Sequence, residues 1–348
     1  PLQQRQAQRG KGPRKARGVI CAGIGFKERK EDKAMKRIVS VLLALIFVLG
    51  AVSCAEGTVN VAALNGPTGM GMVKMMKDEE GKEAYAFTLA GAPDMITPKL
   101  IKGELDIACV PANLASVLYN KTQGNIQVLA VNTLGVLYIV ERGDSVSTIA
   151  DLKGRTVYAS GMGSTPEYAL NYLLRENGLD PETDVDIQWK SEHSECLMAL
   201  IGDDTACAML PQPFVTVAQS KKDDIRIAVD MTAEWDRLDN GRGVITGVVC
   251  ARADFVKANP DKAAAFLEEY AASVENVNAH NEEAAALIGE YGIIDAAVAL
   301  KALPYCNIVC VTGEEMRFML SGYLNVLAAQ DASAVGGKVP DEDFYFVP

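Results

Sequence analysis

The chain has 348 residues, 49% of them hydrophobic and 23% charged, with a formal net charge of −11. That length holds one large domain or two ordinary ones, and the balance is that of a globular chain, which excludes disordered, collagen-like and polytopic membrane classes. The charge is unevenly placed. The first 53 residues carry 12 Lys or Arg against 3 Asp or Glu, and the remaining 295 carry 22 against 42. An acidic body argues against a nucleic-acid partner, whose footprint is a basic patch on the folded domain.

Residues 1–34 are basic, without apolar periodicity and without an initiator Met, and read as an upstream or non-native leader; a nucleic-acid arm is the functional alternative. From Met35 the pattern changes. Lys36 and Arg37 precede an uncharged run of 15 residues, 38–52, which is short for a spanning helix of about 20 residues and fits a secretory signal peptide at 35–53. The run ends in Ala51-Val52-Ser53-Cys54. These residues resemble a bacterial lipoprotein lipobox, with Ala51 where Leu is usual. The resemblance implies that Cys54 becomes a lipidated N-terminus, holding the protein on the membrane by acyl chains. A plain signal peptide with an incidental Cys is the simpler alternative.

Beyond residue 57, short apolar runs alternate with helical patterns, which predicts α/β architecture. Strands are expected at 59–64, 85–90, 106–110, 128–132, 136–140, 156–160, 185–189, 206–210, 225–229 and 244–251. From Pro260 to about Gln330 the chain reads as helices. Cys109, Cys207 and Cys250 sit in apolar runs, as small core residues do. Cys306 and Cys310 can pair or bind metal, but their spacing is weak evidence. The two His, His193 and His280, lie in no metal or triad motif, so hydrolase and metalloenzyme readings are poor and no metal site is expected.

The segment 100–120 aligns with 200–220 without a gap. Leu100/Leu200, Ile101/Ile201, Ala108/Ala208, Pro111/Pro211 and Val117/Val217 are identical. Each copy reads helix end, acidic turn, buried strand, Pro, new helix. Two strand-to-helix loops also match in kind: Gly66-Pro67-Thr68-Gly69 before a helix at 70–77, and Gly161-Met162-Gly163-Ser164-Thr165-Pro166 before a helix at 167–176. A helix N-terminus offers unpaired N–H groups that can hold an anion, and ordinary capping is the plain alternative. In open α/β sheets ligands bind beyond the carboxyl ends of the strands, so two such lobes facing each other frame one cleft.

The order of lipobox, GPTG, KLIKGELDIACVPAN, SVSTIADLKGRTVYASGMGSTPEYAL, LPQPF and a closing VPDEDFYF resembles the nitrate/sulfonate/taurine group of ABC-importer substrate-binding proteins, which shares its domain with thiamine-pyrimidine precursor binding proteins. The resemblance covers roughly 58–348, and IADLKG with the following strand and Gly-Ser-Thr loop is its most specific part. It implies a two-lobed type II periplasmic-binding-protein fold with a ligand cleft between the lobes and two hinge crossings, near 138–143 and 243–246. Lobe one would be 58–140 plus 246–348, and lobe two 141–245. Carried over by position, lobe one would give the cleft Thr68, Gly69, Ala92, Pro111, Ala112, Asn113, Asn132 and Thr133. Lobe two would give Gly163, Ser164, Thr165, Glu192, His193, Gln212 and Pro213, with Thr246 at the return crossing. N–H groups near Thr68 and Ser164 would bind an anionic or carbonyl group, and Asn113, Asn132 and Gln212 would orient it.

These loops contain no Lys or Arg, whereas a dedicated sulfonate or nitrate site calls for a cation or many donors. Glu192 and His193 suit a cationic or heteroaromatic group, or form a solvated helix cap. The expected function is an extracytoplasmic, lipid-anchored, monomeric solute-binding protein serving an ABC permease and ATPase. It would need no cofactor, perform no catalysis and bind no nucleic acid. Its solute is a sulfonate, nitrate, thiamine-precursor-like compound or other small organic molecule. The alternatives are an enzyme on the same fold, of thiamine-pyrimidine-synthase or chorismate-dehydratase kind, and a solute-sensing lipoprotein.

Overall fold

A computed structural model describes residues 57–238 and 243–347. The expected leader 1–34, the signal segment 35–53 and Cys54 lie outside the described residues. In chain order the elements begin with β1 (Val59–Leu64), α1 (Pro67–Met70), α2 (Val73–Asp78), β2 (Tyr85–Ala90), α3 (Thr97–Lys102), β3 (Ile107–Pro111), α4 (Ala112–Lys121) and β4 (Ile126–Leu134). The chain continues through β5 (Leu137–Arg142), β6 (Thr156–Ser160), α5 (Thr165–Glu176), β7 (Asp186–Lys190), α6 (His193–Gly202), β8 (Cys207–Pro211), α7 (Phe214–Lys221), β9 (Ile225–Asp230) and α8 (Met231–Asp236). It closes with β10 (Ile245–Arg252), α9 (Ala253–Ala258), α10 (Pro260–Ala279), α11 (Asn281–Glu290), α12 (Ala296–Ala302), β11 (Ile308–Val311) and α13 (Gly313–Gln330).

The strands form two mixed sheets, ordered β11-β4-β10-β3-β1-β2 and β7-β6-β8-β5-β9. The sequence repeat is the reason the sheets look alike. β3 and β8 occupy 107–111 and 207–211, the same offset of one hundred. Each is a central strand with buried apolar residues on both faces, which is why both read as unbroken apolar runs. Each pairs in parallel with the strand that precedes its half's glycine loop, Val61 of β1 beside Ile107 and Val157 of β6 beside Cys207. The edge strands β2 and β7 instead alternate in burial and carry the polar residues.

The chain leaves the first sheet after Leu134 and enters the second at Leu137, with Gly135 between. Gly135 is required there, because a Cβ would fall 2.0 Å from the Thr232 hydroxyl oxygen. The return falls between Asp236 and Ile245.

Two expectations are corrected. The stretch after Pro260 is not all helix: Ile308–Val311 forms a strand at the edge of the first sheet, antiparallel to β4. The first predicted helix is split at Gly71, where a Cβ would meet Ile308, Tyr270 and Val274 at 2.9 to 3.2 Å. Cys306 and Cys310 are free thiols, and the Cys306 thiol donates to the Ala302 carbonyl.

Apolar packing ties the two halves together on one side. A single buried cluster runs from Val128 and Leu118 of the first half, through Leu320, Tyr323 and Leu324 of α13, to Leu173 of α5 and Trp235 of α8. Trp235 lies between Tyr172 and Tyr323, with ring centroids 4.6 and 5.6 Å away. A second cluster packs under α10 and a third under α6 and α7.

Candidate functional site

In the first sheet the carboxyl ends of β1 and β4 and the start of β10 meet in one buried polar group. Asn132, fully buried in β4, donates from Nδ2 to the Thr68 carbonyl at 3.3 Å and accepts at Oδ1 from the Thr133 hydroxyl at 3.1 Å. The Thr68 hydroxyl turns back to the Leu64 carbonyl at 3.3 Å. Gly69 passes so close to that carbonyl that a Cβ would be 2.6 Å away, and a Cβ on Gly247 would meet Thr68 Cγ2 at 2.5 Å and Asn132 Oδ1 at 2.6 Å. Thr246, one residue before Gly247, has a buried hydroxyl with no protein partner.

Asn113, in the first turn of α4, is buried after Pro111 and Ala112, and its Nδ2 donates to the Ala334 carbonyl at 3.3 Å. Its Oδ1 accepts from the Thr165 hydroxyl at 3.4 Å, across from the second sheet. The N-termini of α4 and α5 therefore face each other, one from each half. The Tyr323 phenol of α13 also lies beside Thr165.

The loop before α5 is shaped by Gly161 and Gly163, both with positive φ, 88° and 75°. Ser164 donates to the Gly161 carbonyl at 2.6 Å. The Gly163 N–H donates to Glu167 Oε2 at 2.5 Å, so a carboxylate of the helix sits on the loop's donor. Glu167 went unnoticed in the sequence, although Ser164-Thr165-Pro166-Glu167 has the spacing of a capping box.

His193 opens α6, half-buried rather than solvent-facing. Its Nδ1 is 2.5 Å from the Ser160 hydroxyl at the end of β6, and its ring packs 5.3 Å from Phe214. Burial pushes the imidazole down to about 4, so it is neutral at ordinary pH and offers a lone pair and an N–H without charge. Glu192 is exposed, and its carboxylate accepts from the Ser194 hydroxyl at 3.1 Å. Gln212 is buried, but its Oε1 accepts from the Thr216 N–H at 3.4 Å and hydroxyl at 2.9 Å. That oxygen therefore caps the start of α7. The Gln212–Pro213 peptide is cis.

The structure thus brings Thr68, Gly69, Asn132 and Thr133 together around Gly247, and Ser164 and His193 into the facing loops, with Asn113 and Thr165 as the bridge; Thr246 is the chain neighbour of Gly247 and joins none of these bonds. Ala92 and Glu192 stand outside these hydrogen-bonded groups. Among the described residues no group of three or more His, Cys, Asp or Glu is placed to hold a metal ion. Ser160, Glu167 and Gly247 are the residues that sequence reasoning missed. Gly247 had one signal, an isolated glycine inside a strand pattern, which marks a close backbone approach.

A sequence-family profile described as an ABC-transporter phosphonate periplasmic substrate-binding protein matches residues 71–294. The chain belongs to this family. Its members are periplasmic substrate-binding proteins of ABC importers, and that is the function of this chain. Solved structures share the two-lobed fold. An ABC transporter protein from Parabacteroides distasonis is 24% identical, with 83% of this chain and 99% of that one covered at a TM-score of 0.71. The periplasmic aliphatic sulphonate binding protein from Escherichia coli is 16% identical, covering 84% and 92%, at 0.68. The periplasmic nitrate-binding protein from Synechocystis is 14% identical, covering 70% and 68%, at 0.56. A search of curated proteins finds no match. Like other members of the phosphonate-binding family, this chain works as an extracytoplasmic carrier, and among the described residues no helix is long and apolar enough to cross a membrane.

Proposed function

We propose that the solute is a small oxyanion of the phosphonate or sulfonate kind, held by hydrogen bonds between the facing N-termini of α4 and α5. The observation that carries this reading is the Asn113–Thr165 contact, which sets two helix starts from opposite halves against each other. Helix starts carry N–H donors and partial positive charge, so they favour an anion without a lysine or arginine. The neutral His193, on the loop after β7, would add an uncharged group from the second half. The family description names phosphonate, and the structural relatives named above bind sulphonate and nitrate, so the class fits all three.

Purified protein screened by thermal shift against methylphosphonate, methanesulfonate, nitrate and a thiamine-pyrimidine precursor tests the reading. A true solute at 100 times its Kd should stabilise by about 2.7 kcal/mol. Ser164→Ala should weaken that solute by about 1–3 kcal/mol, because the hydroxyl that holds the Gly161–Ser164 loop in shape is lost. Stabilisation by the pyrimidine alone would overturn the oxyanion class, and turnover of any of these compounds would establish an enzyme instead.

The sheet crossings support lobe limits near residues 136 and 245, close to the expected 140 and 246. The protein acts as a monomer tethered through Cys54, beyond the described residues. Cys54→Ala should leave an unprocessed precursor in a membrane-fraction blot; normal maturation of that variant would rule the lipid anchor out.

A further inference from the structure

The outer flank of the second sheet holds a groove that the solute site does not use. β6 and β7 are parallel neighbours, and α5 runs back between them, so its first turn stands beside the end of β7 and its last beside the turn 181–185. β7 is the edge strand, and the space between it and α5 is a cavity of about 620 Å³, within the range of small-molecule sites. Glu167, Asn171 and Arg175, at i, i+4 spacing on α5, line one wall. Trp189 stands on the other, half-buried, with the apolar cluster behind it. Among the described residues no ring or cation covers that indole. Asn171 Oδ1 is buried and accepts from nothing. A buried amide oxygen without a donor is costly, so the groove favours a ligand that brings one.

The charge of the groove selects the sign of its ligand. The carboxylates of Glu167, Glu182, Asp184 and Asp186 line it, against the one guanidinium of Arg175. Asp184 is paired with Lys153, and Asp186 is bonded to Thr156 and Gln188. Arg175 stands about two turns from Glu167 along the helix. The end with Trp189 therefore has a carboxylate, an open amide oxygen and an uncovered ring, and no lysine or arginine lines it. We propose that this groove is a second binding site, for a primary ammonium cation, with the indole face of Trp189, the Glu167 carboxylate and Asn171 Oδ1 as its acceptors. A cation over a tryptophan face is drawn by the ring's quadrupole, and an ammonium brings N–H donors for both oxygens. Glu167 also holds the Gly163 N–H of the loop before α5, at 2.5 Å. An ammonium that draws this carboxylate toward the groove leaves that N–H to the solute. Cation and oxyanion then bind with positive coupling, each raising the affinity of the other. The coupling, unlike the site itself, rests on the oxyanion reading proposed above.

Butylamine, protonated at neutral pH, is the probe, with 1-butanol as its uncharged counterpart. The chain has two tryptophans, so Trp235→Phe leaves Trp189 as the only indole to report. Its fluorescence should change saturably with butylammonium and not with butanol. A response that never saturates, or one equal to the alcohol's, overturns the site. In the otherwise unaltered protein, calorimetric titration should show butylammonium weakened about five-fold or more by Glu167→Gln and by Trp189→Leu, with Trp189→Phe keeping part of the affinity. Unchanged affinity in the glutamine and leucine variants overturns the assigned residues. Saturating butylammonium should tighten the best oxyanion of the thermal-shift screen about five-fold or more, and Glu167→Gln should remove that gain. Unchanged oxyanion affinity with the amine bound overturns the coupling. If no oxyanion binds at all, the proposed solute class fails, while the fluorescence titration still decides the cation site.

Discussion

Gly247→Ala is expected to abolish solute binding while the protein still folds. The added methyl would stand 2.5 Å from Thr68 Cγ2 and 2.6 Å from Asn132 Oδ1. Neither neighbour can yield cheaply, because the Asn132 amide is bonded to the Thr68 carbonyl on one side and the Thr133 hydroxyl on the other. Overpacking of this kind costs about 1–3 kcal/mol. Relief by turning Asn132 away would leave its amide buried without partners, at a further 1–3 kcal/mol or so. The displaced group is the wall of the proposed cleft, so the damage is expected to fall on binding as well as on stability. Calorimetric titration of the variant against the best oxyanion checks this. Unchanged affinity would mean that the Thr68–Asn132 group lies away from the solute.

Trp235→Ala is expected to be the most destabilising substitution on the side that joins the lobes. The indole is 1% exposed and packs on both Tyr172 and Tyr323. Truncating a buried tryptophan costs about 3–5 kcal/mol, cavity included. At roughly 2–4 °C per kcal/mol for a domain of this size, Tm should fall by on the order of 10 °C. Phe in its place should recover much of the loss, since a ring would still fill the gap between the tyrosines. A fall of only a degree or two for the alanine variant would show that α13 holds the lobes by other means.

The strands were legible in the sequence because their burial is. β1, β2 and β6 have the limits that apolar runs predict, and the central pair β3 and β8 announced themselves through the hundred-residue repeat. β11 was hidden because four residues at a sheet edge, set among helices, leave too short a pattern to read. The site was legible only as a set of loops. Strand-end positions follow from topology, so Asn113, Asn132, Ser164 and Thr165 could be named in advance. Side-chain direction could not. The Gln212 oxygen is spent on its own helix, and His193 lies against Ser160 and Phe214, which are 33 residues before it and 21 after it. Those contacts depend on how the β6, β7 and β8 ends stack in space, which no local spacing reveals.

If the solute is the oxyanion proposed above, the Glu167 carboxylate on the Gly163 N–H is an internal substitute for it. Capture would then be an exchange, in which an arriving oxyanion competes with a tethered rival rather than filling bare donors. A monovalent halide or a simple carboxylate brings little that the rival does not already supply. A group with three acceptor oxygens would offer more bonds than the single carboxylate that occupies the Gly163 N–H. On that reading, selectivity would be set partly by a carboxylate of the receptor's own.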